Sequence, residues 1–118
     1  MAVFLVSGVR RESGDAFCFG YYESLGEADR AVRENLADLT DGGLFDHVVV
    51  EELPAGLHRF ASRKWWYRYD GEAGRFVPCP EPEEFRQHPC VAVGQDFRIA
   101  RVGNGLYRRV CAVAEAFR

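Results

Sequence analysis

The chain has 118 residues and a mass of 13.4 kDa, and 47% of its residues are hydrophobic, which suffices for one folded unit burying about two-thirds of its unfolded surface. That excludes disorder and multi-domain machinery. Fifteen basic against eighteen acidic residues give a net charge of −3 and a sequence pI near 5.6, so general coating of nucleic acid is not expected.

The first element is a short apolar strand, Val3-Phe4-Leu5-Val6. It lacks the basic flank of a signal peptide, and no run in the chain approaches the roughly 18 to 20 residues that span a bilayer, so a soluble cytoplasmic protein is expected. Ala16 to Tyr22 is a second strand, and the polar turn Arg10 to Asp15 between them predicts an antiparallel hairpin. Ser24-Leu25-Gly26-Glu27 then fits the capping box, with the serine oxygen accepting a first-turn amide. Leu25, Ala28, Val32, Leu36 and Leu39 recur at helical intervals, predicting one long helix from Leu25 to about Leu39, closed by Asp41-Gly42-Gly43.

Phe45 to Leu53 reads as a strand, and its continuous Val48-Val49-Val50 centre predicts an interior place in the sheet. Arg63 to Asp70 alternates with period two: Trp65, Tyr67 and Tyr69 on one side, Lys64, Trp66 and Arg68 on the other. The expectation is that the first set enters the core and the second stands in water. Asp70 to Gly74 turns the chain back into Arg75-Phe76-Val77. A short helix is expected near Pro82, ended by Pro89. Val91-Ala92-Val93 and Phe97 to Val102 read as strands, Gly103-Asn104-Gly105 as a turn, and Leu106, Val110, Val113 and Phe117 as the stripe of a C-terminal helix. That stripe serves core packing first and contact in a homodimer second.

Charge is unevenly divided. Residues 1–58 hold four arginines against eleven acids, and residues 59–118 hold eleven basic residues against seven acids. An acidic partner should therefore meet the second half, where Arg98, Arg101, Arg108 and Arg109 lie. Glu51-Glu52 and Glu83-Glu84 read as acids solvating a strand end and a helix start.

Cys18, Cys79, Cys90 and Cys111 are widely spaced and are expected as reduced thiols. Cys79, His88 and Cys90 are the weak metal candidates; they lack the C-x2–4-C knuckle of a structural zinc site, so no metal and no cofactor is expected. The sequence contains neither a GxSxG elbow nor a P-loop, and no catalytic residue is assigned.

Taken together, Val3 to Val6, Ser24-Leu25-Gly26-Glu27-Ala28, Val48 to Leu53, Trp66-Tyr67-Arg68-Tyr69-Asp70-Gly71 and Phe76-Val77-Pro78 resemble a type of short uncharacterised bacterial or phage-borne protein. The resemblance covers roughly residues 1–94, implies a fold type and carries no catalytic residue; residues 95–118 look like an addition to it.

The fold expected is a single α+β domain over 1–118, with 91–118 as a C-terminal extension. Its sheet is mostly antiparallel, of four to six strands, with one long helix packed on it and a helical C-terminus. The function expected is a non-enzymatic protein-interaction module, of the accessory, immunity or phage-encoded modulator kind. Lys64, Trp66, Arg68, Arg98, Arg101, Arg108 and Arg109 would engage an acidic protein surface. Two alternatives compete: a small metal- or thiol-dependent enzyme using Cys79, His88 and Cys90, and single-stranded nucleic-acid binding through the Trp65–Tyr69 strand.

Overall fold

Alternating apolar side chains draw the first two segments into a hairpin, and the valine-rich third joins its inner edge. The computed structural model describes residues 2–56, 60–86 and 90–94. Its elements are strands β1 (Ala2–Val9) and β2 (Ala16–Tyr22), helix α1 (Leu25–Arg33), strands β3 (His47–Pro54), β4 (Arg63–Asp70) and β5 (Arg75–Cys79), a 3-10 turn (Glu83–Phe85), and the one-turn helix α2 (Val91–Gly94). The α+β class and the antiparallel sheet are as expected. Five strands lie in the order β2-β1-β3-β4-β5, and every neighbouring pair is antiparallel. Because β2 and β3 both run against β1, they run with each other, and α1 links them across it. Among the described residues no helix is long and apolar enough to cross a membrane.

Ser24 caps α1 as its sequence predicts: its Oγ accepts the Glu27 amide at 3.1 Å. The helix is shorter than its apolar spacing suggested, ending at Arg33 instead of about Leu39. Asn35 takes a left-handed φ of 50°, its N–H donates to Val32 O at 3.0 Å, and the Leu36 N–H donates to Ala31 O at 3.0 Å. These two bonds are the Schellman closure, and asparagine is the residue after glycine that best tolerates the position. Asn35 and Asp38 then take the Thr40 and Gly42 amides with their side chains, at 3.2 and 3.1 Å, replacing helical bonds with turn bonds. Leu39 still reaches the core, whereas Leu36 is exposed.

The sheet has a hydrophobic cluster on each face. Phe4, Val6, Val48, Val50, Tyr67 and Phe76 meet Ala28 and Val32 of α1 on one side. Val9, Val49 and Trp66 meet Phe85 and Val91 on the other. β3 is therefore covered on both faces, as its unbroken valines predicted. Gly8 of β1 is a point of close approach: a Cβ there would lie 2.8 Å from the Phe45 ring and 3.0 Å from that of Phe19. Gly8→Ala is expected to lower stability by about 1–3 kcal/mol through overpacking, read as a lower denaturant midpoint at unchanged slope.

The expected strand at Val91-Ala92-Val93 is instead the helical turn α2. The expected strand at 97–102, the turn at 103–105 and the C-terminal helix, with Arg98, Arg101, Arg108 and Arg109, lie outside the described residues, as do Pro89 and His88.

Candidate functional site

The β4–β5 ladder ends at the pair Trp66–Cys79, three residues short of the start of β4. An open cleft of about 760 Å³ lies there, reaching both faces of the sheet. Its lining carries four cations, Arg33, Arg63, Lys64 and Arg86, against two acids, Asp29 and Glu81. Phe60 and Trp65 add ring surface; Phe60 is 62% exposed and the Arg63 guanidinium stacks 5.0 Å from the Trp65 ring.

Helix α1 supplies one wall. Tyr67 Oη, on β4, donates to Asp29 Oδ1 at 2.6 Å, and Arg33 Nε donates to Asp29 Oδ2 at 2.9 Å. Burial opposes ionisation of Asp29, but the bonds from Tyr67 and Arg33 outweigh it and hold the carboxyl below the ordinary range. Burial, followed by the bond to Asp29, pushes the Tyr67 phenol well above its usual value, so it serves as a fixed donor. On the other side Arg63 Nε meets Glu52 Oε1 at 2.7 Å, and Arg86 Nη2 lies 3.7 Å from Glu83.

The alternation expected of β4 is present, but its second face is not wet. Trp66 is only 5% exposed, packed 5.3 Å from the Phe85 ring and among Val9, Val49 and Val91. Phe85 and Val91 close over it, so the expectation of an outward indole is corrected. Its Nε1 is buried without a hydrogen-bond partner among the described residues. Lys64 lines the cleft with a side chain only 15% exposed, and of the expected trio Arg68 alone is exposed. On the opposite side Tyr67 is buried but Tyr69 is 37% exposed, resting edge-on against Phe76.

Glu51 departs most from its sequence reading. It does not solvate a strand end: it is fully buried. Its Oε2 accepts the Val91 N–H, its Oε1 accepts the Ala92 N–H at 2.7 Å and the Cys90 thiol at 3.6 Å, and Lys64 Nζ lies 3.7 Å from Oε2. A carboxylate from β3 thus satisfies the amides that begin α2, which is why this segment turns helical. Burial drives the Glu51 carboxyl upward, against the pull of these two amides, Lys64 and Cys90. Across the same layer Arg11 Nε meets both oxygens of Glu84, at 2.9 and 3.0 Å, fastening the 3-10 turn to the hairpin loop.

Cys18, Cys79 and Cys90 are free thiols. Burial pushes the Cys79 thiol up, with Arg68 and Arg11 pulling the other way, so it is not primed as a nucleophile. Among the described residues no three His, Cys, Asp or Glu side chains gather as a metal site would require. The charged and aromatic cleft residues that sequence reasoning missed are Asp29, Arg33, Phe60, Glu81 and Arg86. Asp29 and Arg33 carried a visible i,i+4 charge pattern, and Pro80 and Pro82 mark where β5 stops, but no local signal tells which side chains that early end brings together. Comparison of the chain with protein-family models, with curated proteins and with solved structures gives no match.

Proposed function

We propose that this chain is a non-enzymatic protein-interaction module whose cleft beside β4 receives an acidic surface of a partner protein. The observation that carries the reading is the lining: four cations against two acids, interleaved with the Phe60 and Trp65 rings. Arginine with aromatic surface is the composition enriched where proteins meet, and cations already paired within the chain, Arg33 to Asp29, Arg63 to Glu52, Lys64 to Glu51 and Arg86 to Glu83, can exchange those partners for a carboxylate of the other protein. Trp66 supports this site from beneath, and Lys64 contributes to its wall. Arg68 extends the positive field outside the cleft.

The test is capture of partners from the native host, followed by measurement between purified components. The double reversal Arg63→Glu with Arg86→Glu is expected to weaken association by about tenfold or more and to flatten its salt dependence. The melting temperature should fall by only a few degrees, since the ion pairs lost and reversed, with Glu52 and Glu83, involve arginines that are largely exposed, at 64% and 60%. A partner that lacks acidic surface, or one that binds the reversed variant equally well, defeats the reading.

A further inference from the structure

Building on the acidic-partner reading, we propose that the cleft receives an extended segment of the partner bearing two carboxylates three residues apart, and that this segment crosses the edge of the sheet where β5 stops. The cations of the lining are divided between the two faces. Arg63 shares its face of β4 with Trp65 and Tyr67, and Arg33 belongs to α1, which packs on that face. Arg86 follows the 3-10 turn whose Phe85 packs on the opposite face with Trp66. A flat surface laid on either face meets one set alone.

The sheet sets the gap between the two sets. Stacked sheets lie about 10 Å apart because each face carries about half that depth of side chain, so charged ends on opposite faces are separated by about 10 Å. An extended chain covers that distance in about three residues, at about 3.3 Å each. Arg33 and Arg63 hold their present acids through Nε, to Asp29 at 2.9 Å and to Glu52 at 2.7 Å, so the Nη donors of each can meet an incoming carboxylate. Arg86 is held more loosely, 3.7 Å from Glu83.

Between these anchors the lining is ring surface: Trp65, with the Arg63 guanidinium stacked on it, and Phe60, 62% exposed. The two residues between the acids should therefore be apolar. A volume of about 760 Å³ falls in the range of ligand pockets, about 300–1,000 Å³, which suits a short segment and not a folded face.

Both tryptophans of the chain line the cleft, so indole fluorescence reports its filling. The test is titration of the full chain with blocked peptides: Glu-Leu-Leu-Glu, its isomer Leu-Leu-Glu-Glu of the same composition and charge, and Lys-Leu-Leu-Lys. The first is expected to bind about three- to tenfold more tightly than the isomer, and the third not at all. Arg63→Gln and Arg86→Gln should each weaken the first peptide by a similar factor. Coupling then decides the crossing: Glu-Leu-Leu-Gln and Gln-Leu-Leu-Glu each lack one acid, and one should be indifferent to Arg63→Gln, the other to Arg86→Gln. Equal binding of the two isomers, no binding of Glu-Leu-Leu-Glu at millimolar concentration, or both arginines coupled to the same acid overturns the proposal. So does suberate, a free dicarboxylate of similar span, if it binds as tightly as the peptide, since the site is then one for a small dianion. Should either arginine variant unfold, the order of the two isomers on the unaltered chain decides. A captured protein partner that depends on Arg63 and Arg86, while the isomers bind alike, keeps the acidic-partner reading and overturns this proposal alone.

Discussion

Trp66→Ala is expected to lower stability by about 3–5 kcal/mol, enough to threaten folding in a domain whose total margin is about 5–15 kcal/mol. The side chain is 5% exposed and central to the cluster of Val9, Val49, Phe85 and Val91, so truncation opens a cavity lined from both layers. Trp66→Phe separates packing from polarity. It gives up part of the ring contact but also removes an indole N–H that is buried without a partner, and the net loss should stay under about 1.5 kcal/mol. Chemical denaturation of both variants decides the matter. If alanine leaves the midpoint unchanged while weakening partner binding, Trp66 is a contact residue and the layer above it opens in solution.

The reach of the sequence differs along the chain for identifiable reasons. Ser24, the period-two pattern of residues 63–70 and the valine run of β3 are local signals; the first placed the start of α1, and the other two placed β4 and β3 within a residue or two. Alternation also sorted the side chains of β4 onto two faces correctly. It could not say that both faces would be covered, because what covers Trp66 is Phe85 and Val91, which are 19 and 25 residues further along. The end of α1 was misjudged where Leu36 and Leu39 kept a helical spacing through a segment whose asparagine and aspartate side chains bond the backbone instead. The cleft was invisible for a similar reason. Its cations were scattered over α1, β4 and the segment after β5, and only the early end of the β4–β5 ladder gathers them.

Glu51 is the residue whose pattern was most misleading and whose loss should be felt most widely. Two adjacent glutamates at the end of an apolar run suggest solvation, yet period two sends Glu52 outward to Arg63 and Glu51 inward beneath α2. Glu51→Ala would remove the carboxylate that accepts the Val91 and Ala92 amides and lies beside Lys64, an expected loss of about 3–5 kcal/mol. Glu51→Gln keeps one carbonyl acceptor but turns an NH2 toward a donor, so a smaller loss of about 1–3 kcal/mol is expected. In both variants Cys90, fully buried in the native chain, should react faster with a thiol reagent as α2 loosens from the sheet. The pH dependence adds an independent signature. Since burial raises the Glu51 carboxyl in the folded chain above its ordinary value of 4.5, the folded state binds the proton more tightly than the unfolded one. Its contribution is therefore most favourable below that ordinary value and declines as pH rises through the folded one. Exposed acids held below their ordinary range, such as Glu84, bonded first by its own backbone N–H and then by Arg11, tilt the profile the other way at lower pH. Subtracting the Glu51→Gln profile from that of the native chain isolates Glu51: the difference should fall with rising pH above the ordinary glutamate value. A flat difference, with Cys90 reactivity unchanged, would mean that the carboxylate does not hold α2 in place.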